Sequence, residues 1–159
     1  NFGFSDTREI AIPGINGKMS EYTAAFALAA LDLWPQTREY WLCRKWYYAE
    51  AFKKIPHTIG SHPWIAQEWA SSTFSIRLAQ AEAAPTIQKL IKAGIESRQW
   101  WGRGCHVQPA YRIYPHGPLP VTEALGRSVV ALPFTLDINE QDVEYIMQTL
   151  HRICMDSAA

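Results

Sequence analysis

The sequence predicts an α+β fold in which two long helices precede a small sheet that helices cover on one side. Three observations predict it. Apolar residues recur at three- and four-residue steps over residues 20–34, a Trp- and Tyr-rich segment follows over residues 36–54, and polar and apolar residues alternate over residues 71–78. A strand–helix–strand order follows, and the chain ends in another helical segment. With 159 residues, the chain is long enough to fold around one hydrophobic core without disulfides.

A proline separates the two predicted N-terminal helices. Residues 20–34 have a helical apolar period, and Ser20 offers the side-chain oxygen that caps a helix N-terminus. Pro35 ends this helix or opens the next, because its ring fixes φ and it lacks the N–H that a helix interior needs. The second helix is predicted at about residues 36–54, and it ends before Pro56.

The predicted sheet has two strands on either side of a short helix. The alternating segment forms the first strand, with three apolar side chains on one face: Phe74, Ile76 and Leu78. Residues 84–93 form a helix, and Gly94 caps its C-terminus. Residues 95–101 form a second strand, which we expect to pair with the first.

The C-terminal third begins with an irregular segment. Glycines and prolines are frequent over residues 102–120, which indicates turns and loops. A helix is predicted at residues 121–130, and a short extended piece at residues 132–134. The final helix is predicted at residues 137–155, with acidic residues at its start, where the helix dipole favours negative charge.

Composition excludes several classes of function. The net charge is zero and 48% of residues are hydrophobic, which argues against disorder and against a nucleic-acid partner. The longest apolar stretch, residues 24–31, is far shorter than the roughly 20 residues that span a bilayer, and no signal pattern is present. Cys43, Cys105 and Cys154 have no metal-binding or redox spacing. We therefore expect a cytoplasmic protein without a metal site or a membrane partner.

One candidate site precedes the first helix. Residues 14–21 place Asn16 and Lys18 beside glycines, directly before a helix N-terminus. Unpaired backbone N–H groups and the helix dipole favour an anion at such a position, so a phosphate could bind here. An ordinary capped turn is the alternative interpretation.

A second candidate site is the stretch from Arg98 to Tyr111. Aromatic and cationic side chains are crowded here between glycines: Trp100, Trp101, Arg103 and His106. Aromatic faces and arginine stack on flat rings, and glycines let the backbone approach a ligand, so the stretch suits a sugar or a nucleotide. The alternative is a surface loop whose tryptophans pack on the core.

Two further residues near this stretch have reactive side chains but no predicted catalytic role. Cys105 is not predicted to be a nucleophile paired with His106, because adjacent side chains of an extended segment point in opposite directions. His116 lies in a proline-rich turn, and we expect it to be structural or solvated.

The order of several motifs resembles the C-terminal part of the DegT/DnrJ/EryC1/StrS sugar aminotransferases. The first motif is the opening Asn-Phe-Gly-Phe, and the next are Gly-Ile-Asn-Gly-Lys-Met-Ser-Glu at 14–21, Gly-Ile-Glu at 94–96 and His-x-Gln-Pro-x-Tyr at 106–111. Later matches lie at 119–123, 132–134 and 142–146. The resemblance covers essentially the whole chain, and the ordered set is specific although each motif alone is weak.

The resemblance implies the fold type I arrangement of pyridoxal phosphate (PLP) enzymes, in which the small C-terminal domain completes a site on a large domain. Residues 1–34 would connect from a missing PLP-binding large domain, and residues 35–159 would form the small domain. It also implies a homodimer with shared active sites. Asn16 would reach the cofactor phosphate of the partner subunit, and Lys18 would lie near the phosphates of a sugar nucleotide.

The resemblance further implies that His106 contacts the substrate, with Tyr111 beside it. Trp101 and Arg103 are further candidate substrate contacts, because their side chains suit a sugar or a nucleotide. No catalytic residue is expected in this chain. The family's Schiff-base lysine follows a Ser-x-His-x-x-Lys pattern upstream of Asn-Phe-Gly-Phe. None of the six lysines has that context: Lys18, Lys45, Lys53, Lys54, Lys89 and Lys92. The chain, which also opens without methionine, is therefore expected to be part of a longer protein.

The expected parent reaction transfers an amino group from an amino acid, glutamate in most of the family, to a nucleotide-linked keto-sugar. This chain would be inactive without the upstream lysine-bearing domain. Two alternatives remain. One is a PLP-dependent sugar dehydratase of the same family, in which a histidine replaces the lysine. The other is a non-catalytic dimerisation or regulatory remnant.

Overall fold

A computed structural model describes most of the chain, namely residues 14–15, 17–55, 58, 60, 68–100 and 102–156. The chain divides into two compact units, Asn1–Thr37 and Arg38–Ala159. The expected functional division at residue 35 stays a prediction. In the described part, no helix combines the length and the apolar character that crossing a membrane requires.

The first unit contains helix α1, Glu21–Asp32, and the start of helix α2, Trp34–Lys53. Ser20 is the N-cap, as predicted, and its Oγ accepts the backbone N–H of Thr23 at 3.2 Å. Pro35 opens α2 rather than ending α1, because the first turn of a helix needs no N–H there.

The surface of α1 is unusually apolar. Among the described residues of this helix none is buried, and four large apolar side chains are between 62% and 74% exposed: Tyr22, Phe26, Leu28 and Leu31. A helix turns about 100° per residue, so Tyr22 and Phe26 lie on one side while Leu28 and Leu31 lie on the opposite side. The exposed apolar surface of α1 therefore extends around the helix instead of forming one stripe.

The second unit is built around Tyr48 of α2. Its ring stacks on Phe74 with centroids 4.0 Å apart, and its hydroxyl donates to the carbonyl oxygen of Pro133 at 2.5 Å. The side chain is fully buried, and burial raises the pKa of Tyr48, so the hydroxyl stays protonated as a donor. This contact joins α2 to the sheet.

The sheet has two antiparallel strands, β1, Phe74–Arg77, and β2, Val129–Leu132. The register pairs Phe74 with Leu132 and Arg77 with Val129. The predicted inward face is confirmed, because all three of its apolar side chains are buried: Phe74, Ile76 and Leu78.

The predicted pairing of β1 with residues 95–101 is wrong. In its described residues, 95–100, that segment contributes one bridge, between Arg98 and Ala131 of β2, with N–O distances of 3.2 and 2.8 Å. The predicted helix at residues 121–130 was also too long. It ends at Ser128, and the β-branched pair that follows, Val129 and Val130, belongs to β2 because branched side chains fit a strand better than a helix.

Three helices complete the second unit: α3, Ala83–Lys92; α4, Pro120–Ser128; and α5, Glu140–Met155. α3 packs against α4, α5 and β2. Gly94 has φ +79°, and its left-handed conformation follows the end of α3 as predicted. The last helix starts three residues later than expected, at a capping box between Asn139 and Asp142.

Candidate functional site

The structure describes the predicted phosphate-binding segment, residues 14–21, except for Asn16, which lies outside the described residues. Gly17 and Lys18 are both exposed, and a Cβ added to Gly17 would meet none of the described atoms within 4 Å. The N-terminus of α1 follows directly, and Glu21 adds one negative charge to its first turn. A cation beside a helix N-terminus fits a phosphate, although Glu21 opposes it.

The second candidate site is a loop that packs on α4. Gly102 has φ +51° and Gly104 has φ +101°, so both adopt backbone conformations that other residues rarely take. A Cβ on Gly104 would stand 2.7 Å from Cγ2 of Thr122 and 2.9 Å from Nδ1 of His106. The absence of a side chain at Gly104 thus allows the loop to contact α4 and the imidazole together.

Gly126 makes the matching contact from α4. A Cβ there would lie 2.8 Å from Cα of Arg103 and 3.0 Å from the carbonyl oxygen of Gly102. The side chain of Gln99 donates from Nε2 to the carbonyl oxygen of Gly126 at 2.6 Å. Gln99 is therefore held against α4 by a hydrogen bond, and residues 102–104 by close backbone packing.

His106 lies in a single 3₁₀ turn, Cys105–Val107, and its side chain is only 8% exposed. Its Nε2 is buried and has no hydrogen-bond partner among the described residues. Oε1 of Glu123 lies 3.8 Å from this nitrogen, and the ring of His116 meets that of His106 edge-on with centroids 5.0 Å apart. The imidazole thus lies inside the protein, beside an acid and a second histidine.

Sequence reasoning missed Glu123 and gave His116 no part in the site. Glu123 is separated from His106 by an irregular segment, and no helical or strand period relates the two positions. The other described residues predicted for this site are not enclosed as His106 is. Tyr111 and Arg103 are exposed, and Trp101 lies outside the described residues.

Among the described residues, two cavities border the loop. One has a volume of about 320 Å³, and its wall includes Gln99, Trp100 and Leu125. The other, of about 270 Å³, lies over the sheet and is lined in part by Arg98 and again by Trp100. The Arg98 guanidinium lies 5.0 Å from the centre of the Trp100 ring, a cation–π contact on the side of the smaller cavity.

The lysines differ in their surroundings. Lys45 is buried, and its Nζ donates to the carbonyl oxygen of Trp69 at 3.4 Å; burial lowers the pKa of Lys45, while the charge of Glu68 opposes that shift. Lys54 is paired with Glu144 at 2.8 Å. Over the described ranges, no group of three or more histidine, cysteine or acidic side chains is placed to hold a metal ion.

Comparison with known proteins decides the family. Residues 1–151 match the model of the DegT/DnrJ/EryC1/StrS aminotransferase family. The chain belongs to this family. The predicted resemblance is therefore confirmed over nearly the whole sequence.

Solved structures confirm the predicted fold class. A candidate PLP-dependent aminotransferase from Bacillus cereus superposes with a TM-score of 0.80 at 24% identity, over 94% of this chain and 41% of its own. DesI, solved with its TDP-sugar product, has a TM-score of 0.80 at 25% identity, over 98% and 41%. PseC from Helicobacter pylori, an aminotransferase of pseudoaminic acid biosynthesis, has a TM-score of 0.70 at 20% identity, over 93% and 41%. The chain thus spans about two fifths of the length of these structures.

Proposed function

We propose that this chain is the C-terminal portion of a PLP-dependent aminotransferase that transfers an amino group, with glutamate the expected donor, to a nucleotide-linked keto-sugar. The family match supports the aminotransferase reaction. The likeness to DesI, whose bound ligand is a TDP-sugar, supports the substrate class. We further propose that the lysine that holds the cofactor belongs to an upstream domain, and that the protein acts in the cytoplasm.

The observation that carries this proposal is the apolar surface around α1. A helix that is apolar on all sides is normally buried in a larger protein. Two further surfaces would be needed to cover α1, because Tyr22 and Phe26 are exposed on one side of it. Leu28 and Leu31 are exposed on the other side. An upstream cofactor domain and a second copy of the chain would supply the two surfaces, as a homodimer with shared active sites requires.

The segment before α1 is the proposed contact with the cofactor. PLP, when bound, supplies an aldehyde that takes up the amino group and a ring that accepts electrons. Asn16 would hold the phosphate of the cofactor in the partner subunit. Lys18 would neutralise the phosphates of the sugar nucleotide, and its exposed position before the α1 N-terminus fits an anion.

The loop on α4 is the proposed substrate contact. Arg103 and Tyr111 are exposed, so a cation and a phenol are accessible to a nucleotide sugar. His106 would contact the sugar by the ring nitrogen that faces Gly104, since its other nitrogen is buried towards Glu123. Trp101 is a further proposed substrate contact, because it lies in the same stretch of sequence.

The test compares the chain alone with the chain joined to a PLP-binding segment from a relative. We expect only the joined protein to retain PLP through gel filtration and to aminate a nucleotide keto-sugar, with nitrogen from labelled glutamate detected in the product by mass spectrometry. A folded, dimeric joined protein that does neither would contradict the proposal. Release of a deoxygenated product without nitrogen would instead favour the dehydratase alternative.

Two variants test the residue roles. Lys18→Ala should raise the KM for the nucleotide sugar, whereas Lys92→Ala, which removes an exposed lysine from α3, should leave it unchanged. Asn16→Ala should weaken PLP retention. If the joined protein bound PLP and turned over equally well after Asn16→Ala, the role assigned to Asn16 would be wrong.

A further inference from the structure

The buried nitrogen of His106 is an unusual feature of the loop. Nε2 is fully enclosed, yet no described atom lies within hydrogen-bond distance of it. Buried polar atoms in native proteins nearly always have a partner, because an enclosed nitrogen has lost its bond to water. The surroundings of Nε2 should therefore contain a group that can reach it.

Glu123 is that group. Its Oε1 lies 3.8 Å from Nε2, and a movement of about 1 Å would bring the pair to hydrogen-bond distance. The backbone of Glu123 is fixed in the first turn of α4, since its N–H donates to the carbonyl oxygen of Leu119 at 3.0 Å. Its side chain is 44% exposed, which leaves the carboxylate free to make that movement.

The other side of the imidazole is bounded by the loop backbone. Nδ1 faces Gly104, where an added Cβ would stand 2.9 Å away. His116 meets the ring edge-on, and its own Nδ1 lies 2.8 Å from the carbonyl oxygen of Gly117. Among the described residues, Glu123 is thus the acidic group that lies beside the imidazole, on the Nε2 side.

We propose that Glu123 is a positioning residue whose carboxylate accepts a hydrogen bond from Nε2–H of His106 and so holds the imidazole as one tautomer, with Nδ1 as acceptor beside Gly104. An ionised carboxylate can only accept, so Nε2 must carry the proton. In a neutral imidazole, Nδ1 then has a lone pair and no proton. On the proposed function, on which this step rests, Nδ1 accepts a hydrogen bond from a hydroxyl group of the sugar.

Nitrogen NMR of the histidine-labelled chain tests the tautomer without any activity measurement. At a pH at which free imidazole is neutral, we expect the His106 signals, identified by their loss in His106→Gln, to show a proton on Nε2 that exchanges slowly with water. Glu123→Ala should abolish the slow exchange and mix the two tautomers. Glu123→Gln, whose amide oxygen still accepts, should restore the wild-type signals. Glu144→Gln, which alters an acid paired with Lys54 instead, is the matched control.

Two outcomes of the NMR experiment would overturn the proposal. One is a wild-type His106 with its proton on Nδ1, a result that needs no Glu123 variant to fold. The other is a folded Glu123→Ala chain, verified by circular dichroism, whose His106 signals match the wild type.

In the joined enzyme, Glu123→Ala should raise the KM for the nucleotide sugar about three- to tenfold, as expected for one weakened hydrogen bond, with a smaller change in kcat. Glu123→Gln should recover most of that loss. An unchanged KM in a variant with altered NMR signals would overturn the link to substrate. A joined enzyme that aminates no keto-sugar would refute the proposed function, while the NMR result would still decide the tautomer.

Discussion

Replacing Gly126 with alanine should destabilise the protein, even though alanine is the better helix former. The new Cβ would lie 2.8 Å from Cα of Arg103 and 3.0 Å from the carbonyl oxygen of Gly102. Both are backbone atoms, so neither can rotate away as a flexible side chain would. The variant therefore tests whether residues 99–104 are pressed against α4.

Three effects determine the magnitude. Alanine gains about 1 kcal/mol over glycine inside a helix. Inserting a methyl group into close packing costs about 1–3 kcal/mol, and contact with backbone on two sides favours the upper half of that range. Displacing the loop also strains the 2.6 Å bond from Gln99 to the carbonyl oxygen of Gly126, at about 1 kcal/mol. We expect the free energy of unfolding to fall by about 2–3 kcal/mol.

Urea unfolding followed by circular dichroism measures the change in stability, and hydrogen exchange of residues 99–107 locates it. Exchange in that segment should be faster in Gly126→Ala than in the wild type. Gly117→Ala is the matched control, because its Cβ would meet no described atom within 4 Å, and its effect should stay within about 0.5 kcal/mol. A Gly126→Ala variant that is about 1 kcal/mol more stable, with unchanged exchange, would refute the close packing.

Three further predictions concern the core, the last helix and a buried charge. Tyr48→Phe removes the donor to Pro133 and should lower the free energy of unfolding by about 1–2 kcal/mol in urea titrations; no change would mean that the 2.5 Å bond contributes little. Asn139→Ala removes the acceptor for the backbone N–H of Asp142 and should cost about 1 kcal/mol, seen as a lower melting temperature. Lys45→Met should be more stable than wild type near neutral pH, because it removes a charge that burial disfavours. Burial holds the pKa of Lys45 below 10.5, so the unfolded chain binds more protons above the lowered value and wild-type stability rises with pH. The advantage of Lys45→Met should therefore shrink as the pH rises towards 10.5, and a constant difference would contradict this reasoning.

Signals confined to a few neighbouring residues predicted much of the fold. Ser20 as the cap of α1 and Gly94 after α3 each act within one helical turn, and both were located correctly. Alternation likewise identified the buried face of β1. Such features depend only on residues within a few positions of each other, so a short stretch of sequence is enough to predict them.

Features that depend on distant parts of the chain were predicted less well. Residues 95–101 looked like the partner of β1, but Val129 and Val130 lie there instead, since strand pairing is decided by packing between segments far apart in sequence. Glu123 was missed for the same reason, as only the folded loop brings it near His106. The order of the motifs identified the family, but it does not show which side chains are buried in the folded protein.

The position of Trp100 in the walls of both cavities links their shapes. Because Trp100 lines both the cavity of about 320 Å³ and the cavity of about 270 Å³, a rotation of its side chain would change the two spaces together. A ligand in the smaller cavity would meet the guanidinium of Arg98 and the Trp100 ring together. A ligand in either cavity would therefore alter the surroundings of the same indole ring.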